Sequence, residues 1–208
     1  YGTADHKERL LLPAIRGEKI GTIAFTEPDC GSDLGSIATR ATKTGNGWVL
    51  KGRKLWITSG EAADFVTVAA TTDPSKRLKG IAFFLVEKGT PGFVVGQHIA
   101  KMSARGSQTV ELIFDDCPIP GTNLFGAEGQ GAVQLETILA EIRIMIAGLG
   151  LGLSKAAYDA ALTYARQREA FGRPIADFQL IQEKIADMAL RIETADLLTY
   201  HAATLKHG

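Results

Sequence analysis

The chain has 208 residues, 45% hydrophobic and 22% charged, with 23 Lys and Arg against 23 Asp and Glu. That composition excludes a disordered, collagen-like or disulfide-stapled chain. Zero net charge argues against a nucleic-acid partner, since counterion release needs a surplus of Lys and Arg on one face. A chain of this length removes roughly 70% of its unfolded surface from water, enough for one large core or two small ones.

No uninterrupted apolar run approaches the roughly 20 residues of a membrane span, so no span is expected. Tyr1–Lys7 has neither a basic n-region nor an apolar h-region, so no signal peptide is expected. The absence of an initial Met points to a fragment or a processed product. Cys30 and Cys117 lie far apart without CxxC spacing, which fits a reducing compartment and gives neither a disulfide framework nor a zinc site. His6, His98, His201 and His207 are scattered, so no metal site is expected.

In chain order, a short helical pattern over Ala4–Arg16 comes first. Eight runs rich in β-branched and aromatic residues follow: Ile20–Thr26, Ile37–Lys43, Trp48–Lys51, Lys54–Thr58, Phe65–Thr71, Ile81–Glu87, Phe93–Gln97 and Thr109–Phe114. Gly45-Asn46-Gly47, Asp73-Pro74-Ser75 and Gly89-Thr90-Pro91-Gly92 separate several of them. Gly and Asn tolerate positive φ, so these are turn signals with a mechanism. Short strands at regular spacing predict an antiparallel barrel or sandwich.

Asp115–Gly121 carries two prolines and reads as a linker, because proline cannot donate to a central ladder. Beyond it the period becomes helical. One helix is expected from near Gly131 to Arg168 and a second from Phe178 to about Lys206, with Lys206-His207-Gly208 as its end. In the second, Ile181, Ile185, Met188, Ile192 and Ala195 recur at spacings of three and four, the seam of an antiparallel bundle. Gly148-Leu149-Gly150-Leu151-Gly152 looks like a dinucleotide fingerprint, but its spacing is wrong and no strand precedes it. Close helix–helix approach is the expected reason for those glycines.

Three stretches could carry chemistry. Phe25–Asp33, after a strand, offers the hydroxyls of Thr26 and Ser32 and a Gly31 that lets backbone N–H groups approach an anion. Alone, it reads first as a polar turn capped by Ser32 and Asp33, because such turns are common. In Lys54–Gly60, Trp56 and Thr58 lie two apart on a strand and so share a face. An aromatic beside a hydroxyl could stack on a planar cofactor and hydrogen-bond a ring nitrogen; the alternative is a core Trp beside a surface Thr. In Arg166–Gln179, a cluster of Arg precedes a turn through Gly172 and Pro174. Arg168 could pair with a phosphate, or simply complement a helix C-terminus.

The ordered combination FTEPDCGSD, KLWITSG, MSARGSQTVELIFDDCPIP and RQREAFGRPIADFQLIQEKIADM resembles the acyl-CoA dehydrogenase family of flavoproteins. The resemblance runs over the whole chain, from the opening YGTADHKERLLLPAIRGE onward. It implies an α+β fold: an antiparallel β-barrel domain followed by antiparallel helices of a helical bundle. Residues 1–19 would be the tail of an N-terminal helical domain, 20–125 the β-barrel domain, and 126–208 the first two helices of the C-terminal domain.

The implied cofactor is FAD. Carried over by position, Phe25, Thr26, Gly31 and Ser32 would line the flavin, with Ser32 also toward phosphate and substrate. Trp56, Ile57 and Thr58 would flank the isoalloxazine, with Thr58 donating to its reactive nitrogen. Arg168, Phe171 and Gln179 would reach the FAD of a neighbouring subunit, which implies a homodimer or homotetramer. Arg143 matches a position near the thioester ligand.

The implied reaction is α,β-dehydrogenation of an acyl-CoA, with an electron-transfer flavoprotein as acceptor, in a bacterial cytoplasm or mitochondrial matrix. In most of the family the catalytic base is a Glu well downstream, so here it is expected beyond Gly208. Ile142 stands where one branch of the family has its base. Glu141 is one residue back, and one residue turns a helix by about 100°, so no base is expected within these residues. The alternatives are an acyl-CoA oxidase or flavin monooxygenase of the same superfamily, or a non-catalytic remnant that holds no FAD.

Overall fold

A computed structural model describes residues 1–207. Gly208, expected to close the second long helix and to precede the catalytic base, lies outside the described residues. Two compact units divide between Leu135 and Glu136.

The first unit opens with a helical segment in three parts: α1 (Ala4–His6), a π turn (Lys7–Leu11) and α2 (Leu12–Ile15). Thr3 caps it, accepting from the His6 N–H at 3.2 Å while the Thr3 N–H reaches His6 Nδ1 at 3.3 Å. With Nδ1 as acceptor, the other ring nitrogen carries the proton and donates to the Thr122 carbonyl at 2.6 Å. Arg9 ties the same segment to Glu87 and, at 2.9 Å, to Asn123 Oδ1.

Eight strands follow: β1 (Gly21–Ala24), β2 (Arg40–Thr44), β3 (Gly47–Thr58), β4 (Phe65–Thr71), β5 (Ile81–Glu87), β6 (Phe93–His98), β7 (Thr109–Pro120) and β8 (Leu124–Phe125). They form one sheet in the order β6-β7-β3-β2-β4-β5-β8, with β1 also on β4. Most pairs are antiparallel; β1 and β2 both run parallel to β4, β1 along Phe65–Val68 and β2 at Thr71. The expected barrel is not closed: β6 and β8 end the hydrogen-bonded path. Parallel neighbours on β4 are the reason that successive hairpins do not wrap into an up-and-down cylinder.

Two expected runs, Trp48–Lys51 and Lys54–Thr58, are one strand. At Gly52 it passes through φ +152, where a Cβ would lie 2.7 Å from Thr39 Cα, so glycine carries the strand through rather than ending it. The Asp115–Gly121 linker is also corrected. Pro118 and Pro120 pair in register with Val49 and Gly47. They are tolerated because the pairing of β6 with β7 stops at Phe114, which leaves this stretch an edge where proline nitrogens need no acceptor.

β5 reads Ile-Ala-Phe-Phe-Leu-Val, buried throughout, because both of its faces are covered. Ala82, Phe84 and Val86 join Leu50, Leu112 and Phe114 in the main core, while Ile81 and Phe83 join Cys30, Ile37 and Leu135 in a second. Both cysteines are free and buried.

The second unit consists chiefly of α3 (Gly131–Gln167), whose first residues belong to the first unit, and α4 (Gln179–His207). A two-strand corner joins them, β9 (Glu169–Ala170) with β10 (Arg173–Pro174). Lys155 donates to Asp196 at 2.7 Å. Ile181, Ile185, Met188 and Ile192 are half-buried as the seam requires, but Ala195 is exposed and Asp196 takes its place. At 3.6 residues per turn the third and fourth residues beyond Ile192 both lie near the seam, and the half-buried one is Asp196, where Lys155 reaches it.

The glycine expectation is not met within this chain: a Cβ added at Gly148, Gly150 or Gly152 would meet no atom within 4 Å, so no helix approaches those glycines among the described residues. By length and composition alone, α3 is long and apolar enough to cross a membrane. Its stretch without polar side chains, residues 144–153, is well short of the roughly 20 residues of a span.

Candidate functional site

Beyond Ala24 the chain turns at Glu27–Cys30. The Glu27 N–H donates to the Cys30 carbonyl at 2.8 Å, and the Cys30 N–H returns to the Glu27 carbonyl at 3.3 Å. Pro28 occupies the second position of this turn, where its fixed φ suits. Asp33 then accepts from Ser36 Oγ at 2.5 Å and from Arg77 Nη2 at 2.9 Å. The Ser36 hydroxyl, and then Arg77, hold its carboxyl below the usual range. Gly31 and Ser32 are therefore exposed between two anchored points, and a Cβ at Gly31 would meet nothing within 4 Å.

β3 supplies the facing wall. Between Lys54 and Ile57 it carries one residue more than β7, since Lys54 opposes Leu112 and Ile57 opposes Val110. This bulge places Trp56 at φ +64, a conformation costing about 1–3 kcal/mol that persists only where surroundings enforce it. Trp56 is 54% exposed, and Thr58 is exposed as well; the bulge between Lys54 and Ile57 interrupts the simple alternation by which they were expected to share a face. The Leu55 N–H donates to the Thr26 carbonyl at 2.8 Å, and Thr22 Oγ1 donates to the Thr58 carbonyl at 2.7 Å. The loop and the bulge are thus joined directly.

Phe25 is half-buried, edge-on to Phe83 with ring centroids 5.7 Å apart. The Ile57 side chain is 3% exposed and lies in the main core, so only its backbone can face outward. Among the described residues, the hydroxyls of Thr26, Ser32 and Thr58 have no hydrogen-bond partner. An exposed indole, three unpaired hydroxyls and an open glycine backbone suit a planar, polar-edged ligand. They would suit an aliphatic one poorly.

Behind this wall lies a pair that the motif reading missed. Lys54, with no exposed side-chain surface, donates to Glu27 Oε1 at 2.8 Å and to the Phe25 carbonyl at 2.9 Å. Glu27 accepts the N–H groups of Ala38 at 2.7 Å and Thr39 at 2.9 Å. Burial pushes the Glu27 carboxyl up, but the Lys54 ammonium and these hydrogen bonds outweigh it and leave the carboxyl below its ordinary value. Burial also pushes the Lys54 ammonium down. A signal was present: counting by two from the inward Trp48 and Leu50 puts Lys54 on the core face.

The second unit carries the other expected residues. α3 ends at Gln167, and the Arg168 N–H caps back onto the Tyr164 carbonyl at 2.8 Å. Phe171 (φ +54) and Gly172 (φ +76) form the corner, and Phe171 is 95% exposed. Phe178 lies edge-on to Phe171 at 6.1 Å, and Arg173 stacks over Phe178 at 4.2 Å. Gln179 opens α4, and the structure gathers Arg168, Phe171 and Gln179 at this one corner. Arg143 is exposed along α3, Ile142 is half-buried, and Glu141 pairs with Lys206.

Residues 22–117 match the family model for the acyl-CoA dehydrogenase middle domain, and residues 129–208 match that for the acyl-CoA dehydrogenase C-terminal domain. The chain belongs to the acyl-CoA dehydrogenase family. It is 48% identical to a benzylmalonyl-CoA dehydrogenase of Aromatoleum aromaticum over 98% of its own length and 54% of that protein. Butyryl-CoA dehydrogenase from Megasphaera elsdenii superposes with a TM-score of 0.94 at 42% identity, over 99% of this chain and 54% of that one. A structure described as the FAD complex of PigA superposes at 0.95 with 33% identity, over 100% and 54%. The chain therefore spans about half the length of the acyl-CoA dehydrogenase relatives it matches. Its two matched segments are the ones that carry the loop, the bulge and the helix corner.

Proposed function

We propose that this chain is the flavin-holding half of an FAD-dependent acyl-CoA dehydrogenase. The observation that carries the reading is the stitched pair of walls: an exposed Trp56 and Thr58 on a strained bulge, bonded through Leu55 to the Thr26–Ser32 loop. When bound, FAD would supply a hydride acceptor for the substrate's β-hydrogen. Trp56 would pack on the ring system and Thr58 would donate to its edge. Thr26 and the backbone of Ile57 would line the ring, with Phe25 at its margin. Gly31 and Ser32 would receive phosphate, and Ser32 would also face the acyl-CoA.

Arg168, Phe171 and Gln179 would serve the cofactor of a neighbouring copy in a homo-oligomer; an exposed aromatic held on a positive-φ corner supports that role. Arg143 would lie near the thioester. The reduced cofactor would hand its electrons to an electron-transfer flavoprotein. The domains would divide at 1–19, 20–125 and 126–208.

Abstraction of the substrate α-proton needs a carboxylate base. Glu141 is engaged by Lys206, and the next position is Ile142. We place no base on this chain; in the whole enzyme it would come from beyond Gly208. The test is FAD addition followed by butyryl-CoA under anaerobic conditions. Bound flavin that is not bleached is the expected result; bleaching would overturn the missing base, and no uptake would overturn the flavin site.

A further inference from the structure

We infer that the buried Lys54–Glu27 pair is a positioning device, setting the Trp56 bulge against the Thr26–Ser32 loop and thereby the width of the site between them. Its two ends lie in the two walls. Lys54 is two residues before Trp56 on β3, and Glu27 directly follows Thr26. Lys54 Nζ also holds the Phe25 carbonyl at 2.9 Å, so one ammonium fixes the loop both before and after Thr26. Glu27 fixes the far end of the same excursion by accepting the Ala38 and Thr39 N–H groups. Thr39 Oγ1 in turn donates to the Arg53 carbonyl at 3.4 Å, next to Lys54. The ring of contacts runs from the loop to Ala38 and Thr39, just before β2, then to β3 and back.

A purely structural role accounts poorly for these residue types. Both side chains are at most 5% exposed, and replacing such a pair by apolar groups of similar volume is often neutral or stabilising. Apolar groups would not hold the Phe25 carbonyl and the Ala38 and Thr39 N–H groups at hydrogen-bond distance. The charged pair does so, directly beneath a Trp whose positive φ needs enforcement.

The chain has two tryptophans, so a Trp48→Phe background makes Trp56 the sole indole reporter. In that background the charge-free Lys54→Met/Glu27→Gln variant is expected to melt cooperatively. Acrylamide quenching of Trp56 should rise at least twofold, and FAD affinity, read by quenching of FAD fluorescence, should fall at least tenfold. A folded double variant with unchanged Trp56 quenching would overturn the proposal. Should that variant fail to fold, Glu27→Asp keeps the charge but shortens the reach by one methylene; increased quenching supports the device and native quenching overturns it. The flavin arm rests on the function proposed above, whereas the Trp56 arm does not. Absence of FAD uptake by the parent chain would therefore sink the functional reading while leaving the positioning claim decided by quenching.

Discussion

Glu27, a buried carboxylate, couples the stability of the fold to pH through its protonation. Its carboxyl is held below the ordinary value of 4.5 by Lys54 and two backbone N–H groups, against the opposing effect of burial. A depressed folded value means that the unfolded chain binds its proton first. The stabilisation is therefore full above about pH 4.5 and is lost as the pH falls through the lower folded value. Thermal melts from pH 7 to pH 3 should show a steep acid limb that flattens in Glu27→Gln, whose midpoint is already lower at pH 7. Burial raises Cys117 to about 11 and also raises Cys30. Neither thiol should react with a disulfide reagent in the native protein, while both should react in denaturant. Reaction of either at the rate of a free thiol at pH 7.5 would contradict the buried placement.

At the scale of elements, period and turn chemistry located nearly everything. The runs Phe65–Thr71 and Ile81–Glu87 are strands over the same residues, and the two long helices start and stop within a residue or two of their expected ends. What stayed hidden depends on neighbours. Whether Pro118 and Pro120 can extend a strand depends on where β6 stops, which no local pattern records. Whether Lys54 points inward depends on phase counted along an uninterrupted β3, and splitting that strand at Gly52 lost the count. The loop and the Trp–Thr segment were legible as motifs; the pair behind them was not, because a Lys in a strand reads locally as solvent-facing. Gly52→Ala places a Cβ against the Thr39 backbone at a φ of +152, and should destabilise by about 2 kcal/mol or more. Chemical denaturation measures it; a change below about 0.5 kcal/mol would show that β3 does not need the glycine.

For the whole molecule, stability is unevenly distributed. The strands β3, β4, β5 and β7 bury the largest side chains, among them Phe84, Phe114, Leu50 and Leu112. From Glu136 onward, Met145, Leu149, Leu153, Leu190, Leu197 and Leu198 are exposed. In the single chain at high dilution, amide exchange should accordingly be slowest in the central strands and several orders of magnitude faster in α4. In the proposed homo-oligomer, raising the protein concentration should slow exchange in α4 while leaving the central strands unchanged; protection of α4 that does not depend on concentration would contradict it.

The Trp56–Thr58 segment and the Thr26–Ser32 loop are proposed to form a flavin site on a chain without its own base. The measurement that bears on this first is the visible absorption spectrum of the purified chain titrated with FAD, then with butyryl-CoA under anaerobic conditions. A shifted, saturable flavin spectrum that Trp56→Ala or Thr58→Ala abolishes is expected, with no bleaching by the thioester. A spectrum identical to free FAD would rule out the flavin site, and bleaching by the thioester would rule out the missing base.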